Sequence, residues 1–330
     1  MNSVIRLQRD VLESSNIGLL VVDGTSDNDY NRVISTDASF AMSGGYRLDA
    51  QIVGSQAKAN DFESAAYVRF SRQTQLYNYR VAYTGIDPGF RENFNPIGFI
   101  QDDNRRQLEM GGGKEIWITK HGITKLNTNA HGNIFWSYSG KLRNLEAGSW
   151  IGITFLEKWM LGYAYNYHIE RFEKRFNNHN GLWEAGYNQQ AWNNVGLLHQ
   201  WGKNFDADFQ RLRFRVNLKP NNKLATSYEY TYFSLSPDPD HRSTKIHFLT
   251  TDYNFTPDIW LRLITQYSKR SERFYSYCLF GWRFSPPFGS LYIAYTADDF
   301  DQEDEIQALI NRERQRTFFI KLTVPMEFQR

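Results

Sequence analysis

The chain has 330 residues, a formal net charge of +2 and an aromatic content of 16%. A charge this close to neutral lacks the basic excess of nucleic-acid-binding proteins, so we expect no nucleic-acid partner. Mean hydropathy is −0.59, and there is no run of about 18 apolar residues, which excludes transmembrane helices. It does not exclude a transmembrane barrel, whose strands are only half apolar. The aromatic excess favours strands over helices.

The N-terminal segment MNSVIRLQRD has no apolar signal-peptide core. Secreted and outer-membrane proteins need such a signal, so we expect either a cytoplasmic protein or a mature or truncated chain. A strand-like pattern that starts at Val4 favours truncation. The single cysteine, Cys278, excludes an internal disulfide and says little about the compartment.

Apolar and polar residues alternate along nearly the whole chain, which predicts about 16–18 strands. In the segment RLRFRVNL, apolar side chains share one face and arginines share the other. Those arginines are Arg211, Arg213 and Arg215. Residues 275–295 show the same alternation on both sides of a Pro-Pro pair, which predicts two strands joined by a tight turn.

Short turns alternate with long polar segments, as in an up-and-down barrel with short loops at one end. The segments predicted as long loops are 25–31, 86–113, 173–190, 236–243 and 297–315. One helix is predicted, over 301–314, inside the last of these loops. The GGG at 111–113 is predicted to be a hinge before a strand. It lacks the β-then-α context of a phosphate-binding loop, which argues against nucleotide binding.

Three features favour a membrane barrel over a soluble β-sandwich, which shows a similar alternation. Charged residues lie at mid-strand on the polar faces, where a water-filled or ion-paired lumen accommodates them. Tyrosine and tryptophan crowd the strand ends, as in interfacial aromatic girdles. The chain also finishes on an amphipathic strand with Phe328 near its end, by analogy with outer-membrane barrels. The predicted fold class is therefore all-β, a transmembrane antiparallel up-and-down β-barrel.

Four segments carry a resemblance to a known family. They are SVIRLQRDVLESSNIGLLVVD, NRVISTDASF, FNPIGFIQDDNRR and YNFTPDIWLRLITQYSKRSERFYSYCLFGWRFSPPFGSLYIAYTADDF. The chain resembles the outer-membrane β-barrel domain of unknown function that follows a family-nine-type carbohydrate-binding module in Bacteroidota and related Gram-negative bacteria. The match runs through most of the chain and is strongest in 253–300 and 4–23.

The resemblance implies that residues 1–330 are a single outer-membrane β-barrel domain, the C-terminal portion of a larger protein, with a barrel that is incomplete on its N-terminal side. It also implies a location in the bacterial outer membrane. Carbohydrate binding is not carried over, because the module credited with it is absent from this sequence. The family has no established catalytic residues to transfer.

The arginine row is the first group of candidate ligand contacts. Arg211, Arg213 and Arg215 repeat every two strand rises, roughly 6.6–7 Å. Facing a lumen, they would attract anionic solutes or sugar acids through a focused positive potential. The alternative is a structural ladder with acidic partners on neighbouring strands, such as Glu229 and either Asp206 or Asp208. Glu229 also belongs to the candidate set.

The second group is Asn166, His168 and Glu170, which share the polar face of YNYHIERF. A histidine–carboxylate pair can serve as a general base, but the chain has no G-x-S-x-G and no H-E-x-x-H motif. The seven histidines show no zinc-ligand spacing. We therefore predict no enzymatic activity, no catalytic residue, no metal and no cofactor.

The predicted function is passage or surface handling of a polar, saccharide-related ligand by an outer-membrane barrel. The expected partners are outer-membrane lipid, lipopolysaccharide, the barrel assembly machinery and a saccharide ligand. Two alternatives stay open. One is a soluble all-β carbohydrate-binding or hydrolytic module, and the other is a non-conducting barrel with a structural or anchoring role.

Overall fold

The computed structural model describes residues 2–26, 29–58, 60–96, 98–171, 174–238, 243–285, 289–304 and 309–324. Within these ranges the chain forms nineteen strands and one α-helix. The strands are β1 (Asn2–Val11), β2 (Ser15–Ser26), β3 (Asp29–Met42), β4 (Tyr46–Ala57), β5 (Glu63–Gln73), β6 (Tyr77–Ile86), β7 (Arg105–Lys120), β8 (Ile123–Trp136), β9 (Leu142–Phe155), β10 (Trp159–Arg171), β11 (Arg175–Tyr187), β12 (Asn194–Asn204), β13 (Ala207–Leu218), β14 (Leu224–Ser236), β15 (Thr244–Thr256), β16 (Ile259–Ser268), β17 (Arg273–Ser285), β18 (Gly289–Asp304) and β19 (Leu309–Thr323). The helix, α1 (Phe90–Phe94), lies between β6 and β7. Among the described residues, no helix has the length and apolar character needed to cross a membrane.

The chain divides into two compact units. Unit 1 comprises Met1–Thr119, Lys125–Gly152 and Ala164–Asn180, and unit 2 comprises Lys120–Thr124, Ile153–Tyr163 and Gly181–Arg330. In unit 1, each strand from β1 to β7 pairs antiparallel with the next strand along the chain. In unit 2, the strands from β12 to β19 do the same. The predicted all-β, antiparallel, up-and-down fold class is confirmed.

The strand registers define two faces in each unit, because residues directly opposite one another on neighbouring strands point to the same side. We call the side that carries most of the arginine, aspartate and asparagine residues the polar face, and the other side the apolar face. On the apolar face of unit 1, Val81 is 48% exposed. Few apolar side chains are buried in the described residues: Val33, Ala57, Ala82, Phe90, Ile169 and Ala294.

Several strands extend into segments that the sequence predicted as loops, and one of these segments holds a whole strand, which raises the number to nineteen instead of 16–18. β11 fills most of 173–190, and β7 begins at Arg105 within 86–113. The glycines at 111–113 lie inside β7, so the predicted hinge is wrong. Asparagine and glycine have low strand propensity, but pairing with a neighbouring strand overrides it: Gly111, Gly112 and Gly113 are opposite Arg80, Tyr79 and Asn78 of β6.

The predicted helix over 301–314 is also wrong. β18 extends to Asp304 and β19 starts at Leu309, and their pairing continues from Ser290 opposite Thr323 to Asp304 opposite Leu309. Extended pairing satisfies the backbone donors and acceptors that an isolated strand end leaves open. Residues 305–308 and 325–330, including Phe328, lie outside the described residues.

The strands on either side of the Pro-Pro pair form the predicted hairpin. β17 and β18 pair antiparallel, with Cys278 opposite Tyr295 and Phe280 opposite Ile293. These side chains share the apolar face of unit 2. The turn residues 286–288 lie outside the described part of the chain.

Candidate ligand-binding face

A shared carboxylate organises the polar face of unit 1. Asp49 on β4 accepts hydrogen bonds from Ser39 Oγ at 2.8 Å, from Arg47 Nε at 2.8 Å and from Arg69 Nη2 at 2.7 Å. Ser39 and Arg69 are directly opposite Asp49 on the two neighbouring strands. Because its side chain is only 15% exposed, the carboxylate needs these donors to offset its lost hydration. Two arginines are thereby held on one face.

A second ion pair on this face spans an intervening strand. Arg6 Nη2 on β1 donates to Asp37 Oδ1 on β3 at 2.8 Å. Between them, on β2, lies Gly18, where a Cβ atom would stand 2.5 Å from Arg6 Nη2 and 2.8 Å from Asp37 Oδ2. Glycine is therefore the residue that leaves room for the bridge.

The structure places the predicted residues Asn166, His168 and Glu170 on β10, within unit 1. His168 Nε2 lies 2.6 Å from Asn144 Nδ2, and Asn166 Nδ2 donates to Asn180 Oδ1 at 3.2 Å. His168 thus contacts an amide, and no hydrogen bond joins it to Glu170 among the contacts of the described residues. The result is an amide-rich surface rather than a histidine–carboxylate pair. A role for these three residues in ligand binding stays a prediction.

Asn144 leaves one polar group over. Its Oδ1 atom is buried and has no hydrogen-bond partner within the described ranges. A buried acceptor without a partner is costly, of the order of 1–3 kcal/mol, unless a water or a ligand donor supplies the bond.

The predicted arginine row lies on the polar face of β13 in unit 2. Arg215 is directly opposite Glu229, and its Nε donates to Glu229 Oε2 at 2.8 Å. Arg213 is opposite Thr231 and Arg211 is opposite Phe233, and neither forms an ion pair in the part of the chain that the structure describes. The ladder alternative therefore holds at Arg215 alone.

Other arginines of unit 2 also pair one to one across strands. Arg262 Nε donates to Asp252 Oδ1 at 2.6 Å, and Arg273 Nε donates to Asp298 Oδ1 at 2.8 Å. Asp252 and Arg262 are directly opposite each other on β15 and β16. Each carboxylate here serves one arginine, unlike Asp49 of unit 1.

The segment that joins β6 to β7 packs onto unit 1. Phe90 is 1% exposed and stacks on Phe94 with 5.5 Å between the ring centroids. Asn93 is fully buried, and its Nδ2 donates to the carbonyl oxygens of Asp61 at 2.8 Å and Ser55 at 3.3 Å. These bonds satisfy backbone groups of β4 and of the β4–β5 connection, so the segment is a fixed part of unit 1.

Two titratable groups anchor the same segment outside the strands. Asp87 Oδ2 accepts from Ser64 Oγ at 2.6 Å and from Ser64 N at 3.0 Å. Burial acts to raise the pKa of Asp87, but the hydrogen bonds from Ser64 and Tyr138 outweigh it and lower that pKa. Burial, followed by the hydrogen bond to Asp87, raises the pKa of Tyr138 to about 12. The guanidinium of Arg106 stands 4.2 Å from the Tyr138 ring centroid.

The polar face of unit 1 contains a cavity of about 700 Å³ that the sequence did not predict. Its lining includes Arg80, Asn78 and Asn129, none of which was a candidate residue. The available signal was the alternation in YNYRVAY, which puts Arg80 on the side opposite the tyrosines. Within the described residues, no group of three or more histidine, cysteine, aspartate or glutamate side chains is placed to hold a metal ion.

No protein-family model matches the chain, and no curated protein matches it. Among solved structures, it is similar to the ferric-catecholate import receptor Fiu from E. coli K12, with a TM-score of 0.49, 8% identity and coverage of 97% of this chain and 72% of that one. It is also similar to the FrpB iron transporter from Neisseria meningitidis, with a TM-score of 0.44, 10% identity and coverage of 97% and 72%. The ferric preacinetobactin receptor BauA from Acinetobacter baumannii gives a TM-score of 0.47, 9% identity and coverage of 97% and 70%. Similarity at this level does not assign the chain to a family, and the resemblance to the Bacteroidota barrel domain stays a prediction.

Proposed function

We propose that the chain is an integral outer-membrane β-barrel domain that handles a polar, saccharide-related ligand on its polar face. Membrane insertion is supported by the apolar face, where large apolar side chains are exposed at mid-strand in both units. Phe70 and Val81 are directly opposite each other on β5 and β6, and so are Val68 and Tyr83. All four are at least 36% exposed.

Water is a poor environment for such a surface. Soluble proteins rarely expose contiguous apolar patches larger than about 300–600 Å², and each Å² of apolar surface left in water forgoes about 25 cal/mol. In a lipid bilayer the same side chains contact acyl chains, while the arginines and asparagines of the polar face stay away from lipid. The alternation along each strand then satisfies both environments.

Solvent dependence tests this proposal directly. We expect the purified chain to need detergent or lipid, and to run as a compact, heat-modifiable species on semi-native gels. A chain that stays monomeric in plain buffer without aggregation would instead be the soluble all-β module.

A pair of lysine substitutions on β6 tests which face meets lipid. Val81→Lys puts a charge on the apolar face, and we expect it to lower the free energy of unfolding in lipid vesicles by about 2–4 kcal/mol. Thr84→Lys, on the polar face of the same strand, is the matched control and should cost less than about 1 kcal/mol. Equal losses in the two variants would contradict the proposed orientation.

The ligand part of the proposal is supported by the amide-rich surface around Asn144, Asn166 and Asn180, since amides pair well with sugar hydroxyls, and by the family resemblance. Single-channel recording with neutral oligosaccharides added on either side tests it. Conductance that the sugar blocks reversibly is the expected result. A membrane-inserted chain that neither conducts nor binds sugar would be the structural or anchoring barrel.

A further inference from the structure

The cavity on the polar face of unit 1 has an unusual charge distribution. Its volume is about 700 Å³, and its lining includes four arginines and no carboxylate. Arg47, Arg69 and Arg80 belong to the polar face, whereas Arg72, opposite Tyr46, points to the apolar face. Cavities of about 300–1,000 Å³ are large enough to hold a small organic molecule.

The strand registers align two of these arginines around a serine. Arg47 on β4 is opposite Ser71 on β5, and Ser71 is opposite Arg80 on β6. Neighbouring strands lie about 4.8 Å apart, so the backbones of Arg47 and Arg80 are roughly 10 Å apart. Two guanidinium groups and a hydroxyl therefore stand in one row across three strands.

The donors in this row are not exhausted by bonds within the protein. Among the described residues, Arg47 uses only Nε, on Asp49, which leaves its terminal amino groups open. Arg80 is exposed and forms no ion pair in the described ranges. Arg72 is engaged elsewhere, because it stacks over the Tyr46 ring at 4.7 Å and donates from Nε to the Gly44 carbonyl oxygen at 3.0 Å.

Acidic groups near the row are limited. Asp49 is already shared by Arg47 and Arg69. Glu109, on β7, is opposite Ala82 rather than Arg80, and Glu146 Oε1 lies 3.5 Å from His131 Nε2. Among the described residues, no carboxylate therefore contacts Arg80 and neutralises its positive charge.

Glycine keeps the far side of the row open. Gly111 on β7 is opposite Arg80, and a Cβ atom there would lie 3.5 Å from the Ala130 carbonyl oxygen and 3.6 Å from His131 Cβ. Those are ordinary contact distances, so a side chain would fit the backbone at this position and would occupy the cavity. The amides of Asn78 and Asn129 line the same space.

We propose that this cavity binds the oxyanion of a sugar acid or sugar phosphate, held by the guanidinium groups of Arg47 and Arg80 on either side of the Ser71 hydroxyl. A guanidinium fork binds two oxygens of a carboxylate or phosphate at once. Asn78 and Asn129 then face the sugar hydroxyls. The inference deepens the proposed function, on which it rests, by naming the ligand class of the polar face.

Calorimetric titration of the full chain folded in detergent micelles tests the site. The probes are glucuronate, glucose 1-phosphate, inorganic phosphate and uncharged glucose. We expect both anionic sugars to bind more tightly than glucose, and the tighter of the two identifies the preferred oxyanion. Glucose binding as tightly as glucuronate would overturn the proposal.

Three variants locate the binding. Arg80→Met should weaken binding of both anionic sugars about tenfold or more, since it removes a charge-assisted contact. Arg262→Met, in unit 2 and outside the lining of this cavity, is the matched control and should bind like the wild type, because that arginine is already paired with Asp252. Gly111→Leu should block the anionic sugars while inorganic phosphate still binds, because it fills space without removing a donor. Circular dichroism and heat-modifiable migration check that each variant is folded.

Wild-type affinity in Arg80→Met, or an equal loss in Arg262→Met, would overturn the assignment to this cavity. Failure of the proposed membrane function can be told apart from failure of this binding site. Vesicle insertion is measured without ligand, whereas ligand binding is measured in micelles. A chain that binds glucuronate but stays out of lipid would refute the membrane proposal and keep the cavity.

Discussion

Two sets of arginines, one in each unit, pair with carboxylates in different ways. In unit 1, Arg47 and Arg69 share the single carboxylate of Asp49. In unit 2, Arg215, Arg262 and Arg273 each contact a carboxylate of their own. One-to-one pairing leaves little local charge, whereas a shared acceptor leaves a positive excess beside a cavity. Arginine number alone therefore does not locate a ligand site, and the ratio of arginines to nearby carboxylates is more informative.

The units also differ in how their strands are connected. In unit 2, β12 and β13 are joined by the two residues 205–206, and β16 and β17 by the four residues 269–272. In unit 1, β6 and β7 are joined by 87–104, which contains α1 and packs Phe90 and Asn93 onto neighbouring strands. A long connection of this kind is ordered only because it buries its own side chains.

Substitution of Phe90 by alanine should give the largest loss of stability, and it tests the packing of this connection. Phe90→Ala removes a ring that is 1% exposed, and loss of a buried phenylalanine typically costs about 3–5 kcal/mol. Because the cost falls on one connection, we expect faster hydrogen exchange and proteolysis within 87–104. Phe99→Ala, on the same connection but 83% exposed, is the control and should leave both rates unchanged. Equal protection in the two variants would show that the connection is not held by its apolar contacts.

Substitution of the shared carboxylate tests the difference in pairing. Asp49→Asn leaves Arg47 and Arg69 without their anionic acceptor, and we expect a loss of about 1–3 kcal/mol in the free energy of unfolding. Glu229→Gln, which frees only Arg215, is the matched change in unit 2 and should cost less than about 1 kcal/mol, because that pair is exposed. Denaturant titration in lipid vesicles measures both. If Glu229→Gln costs as much as Asp49→Asn, the two modes of pairing are energetically equivalent.

The same two substitutions should have different effects on anion binding. Asp49→Asn frees guanidinium donors next to the cavity, so we expect tighter binding of glucuronate. Glu229→Gln should leave that affinity unchanged. A weaker affinity in Asp49→Asn would mean that the carboxylate is needed to hold Arg47 in position.

The sequence predicts the strands best where alternation and propensity agree. In β13, apolar Leu212 and Phe214 are exposed while Arg211 and Arg213 are half-buried, which follows the alternation of RLRFRVNL. β11 was not predicted, and the start of β7 was predicted too late, because glycine and asparagine have low strand propensity and the pairing that overrides it involves other strands. The helix predicted over 301–314 failed for the same reason: local periodicity does not include the pairing of β18 with β19.

The ligand-binding residues are harder to predict because they depend on register. Arg47 and Arg80 are 33 positions apart in the sequence, and they meet around Ser71 only because β4, β5 and β6 pair in the observed register. A shift by one residue would send one of the two arginines to the apolar face. By contrast, Arg211, Arg213 and Arg215 are conspicuous on a single strand, although only Arg215 has an acidic partner among the described residues.

The smallest effect should come from Tyr138, whose hydroxyl is bonded to Asp87 in the connection of unit 1. Its folded pKa of about 12 lies above the unfolded value of about 10, so its contribution is complete below about pH 10 and is lost as the pH rises towards 12. The pKa of Asp87 is lowered, so its contribution is present above an unfolded pKa of about 3.9 and is lost as the pH falls through the folded value. Protection of 87–104 from hydrogen exchange should therefore be highest at intermediate pH.

Replacement of Tyr138 by phenylalanine distinguishes the alkaline loss of protection, assigned to Tyr138, from the acid loss, assigned to Asp87. Tyr138→Phe removes one hydrogen bond, so we expect the connection to lose about 1 kcal/mol at neutral pH. The loss of hydrogen-exchange protection above about pH 10 should also disappear, because the group that titrates there is gone. The acid decline should stay, since Ser64 still donates two hydrogen bonds to Asp87. Tyr77→Phe, at the opposite end of β6, is the control and should keep the wild-type profile. If the protection of 87–104 still declines above about pH 10 in Tyr138→Phe, the group that titrates there is not Tyr138. The connection of unit 1 would then owe its order to packing and not to the contact between Tyr138 and Asp87.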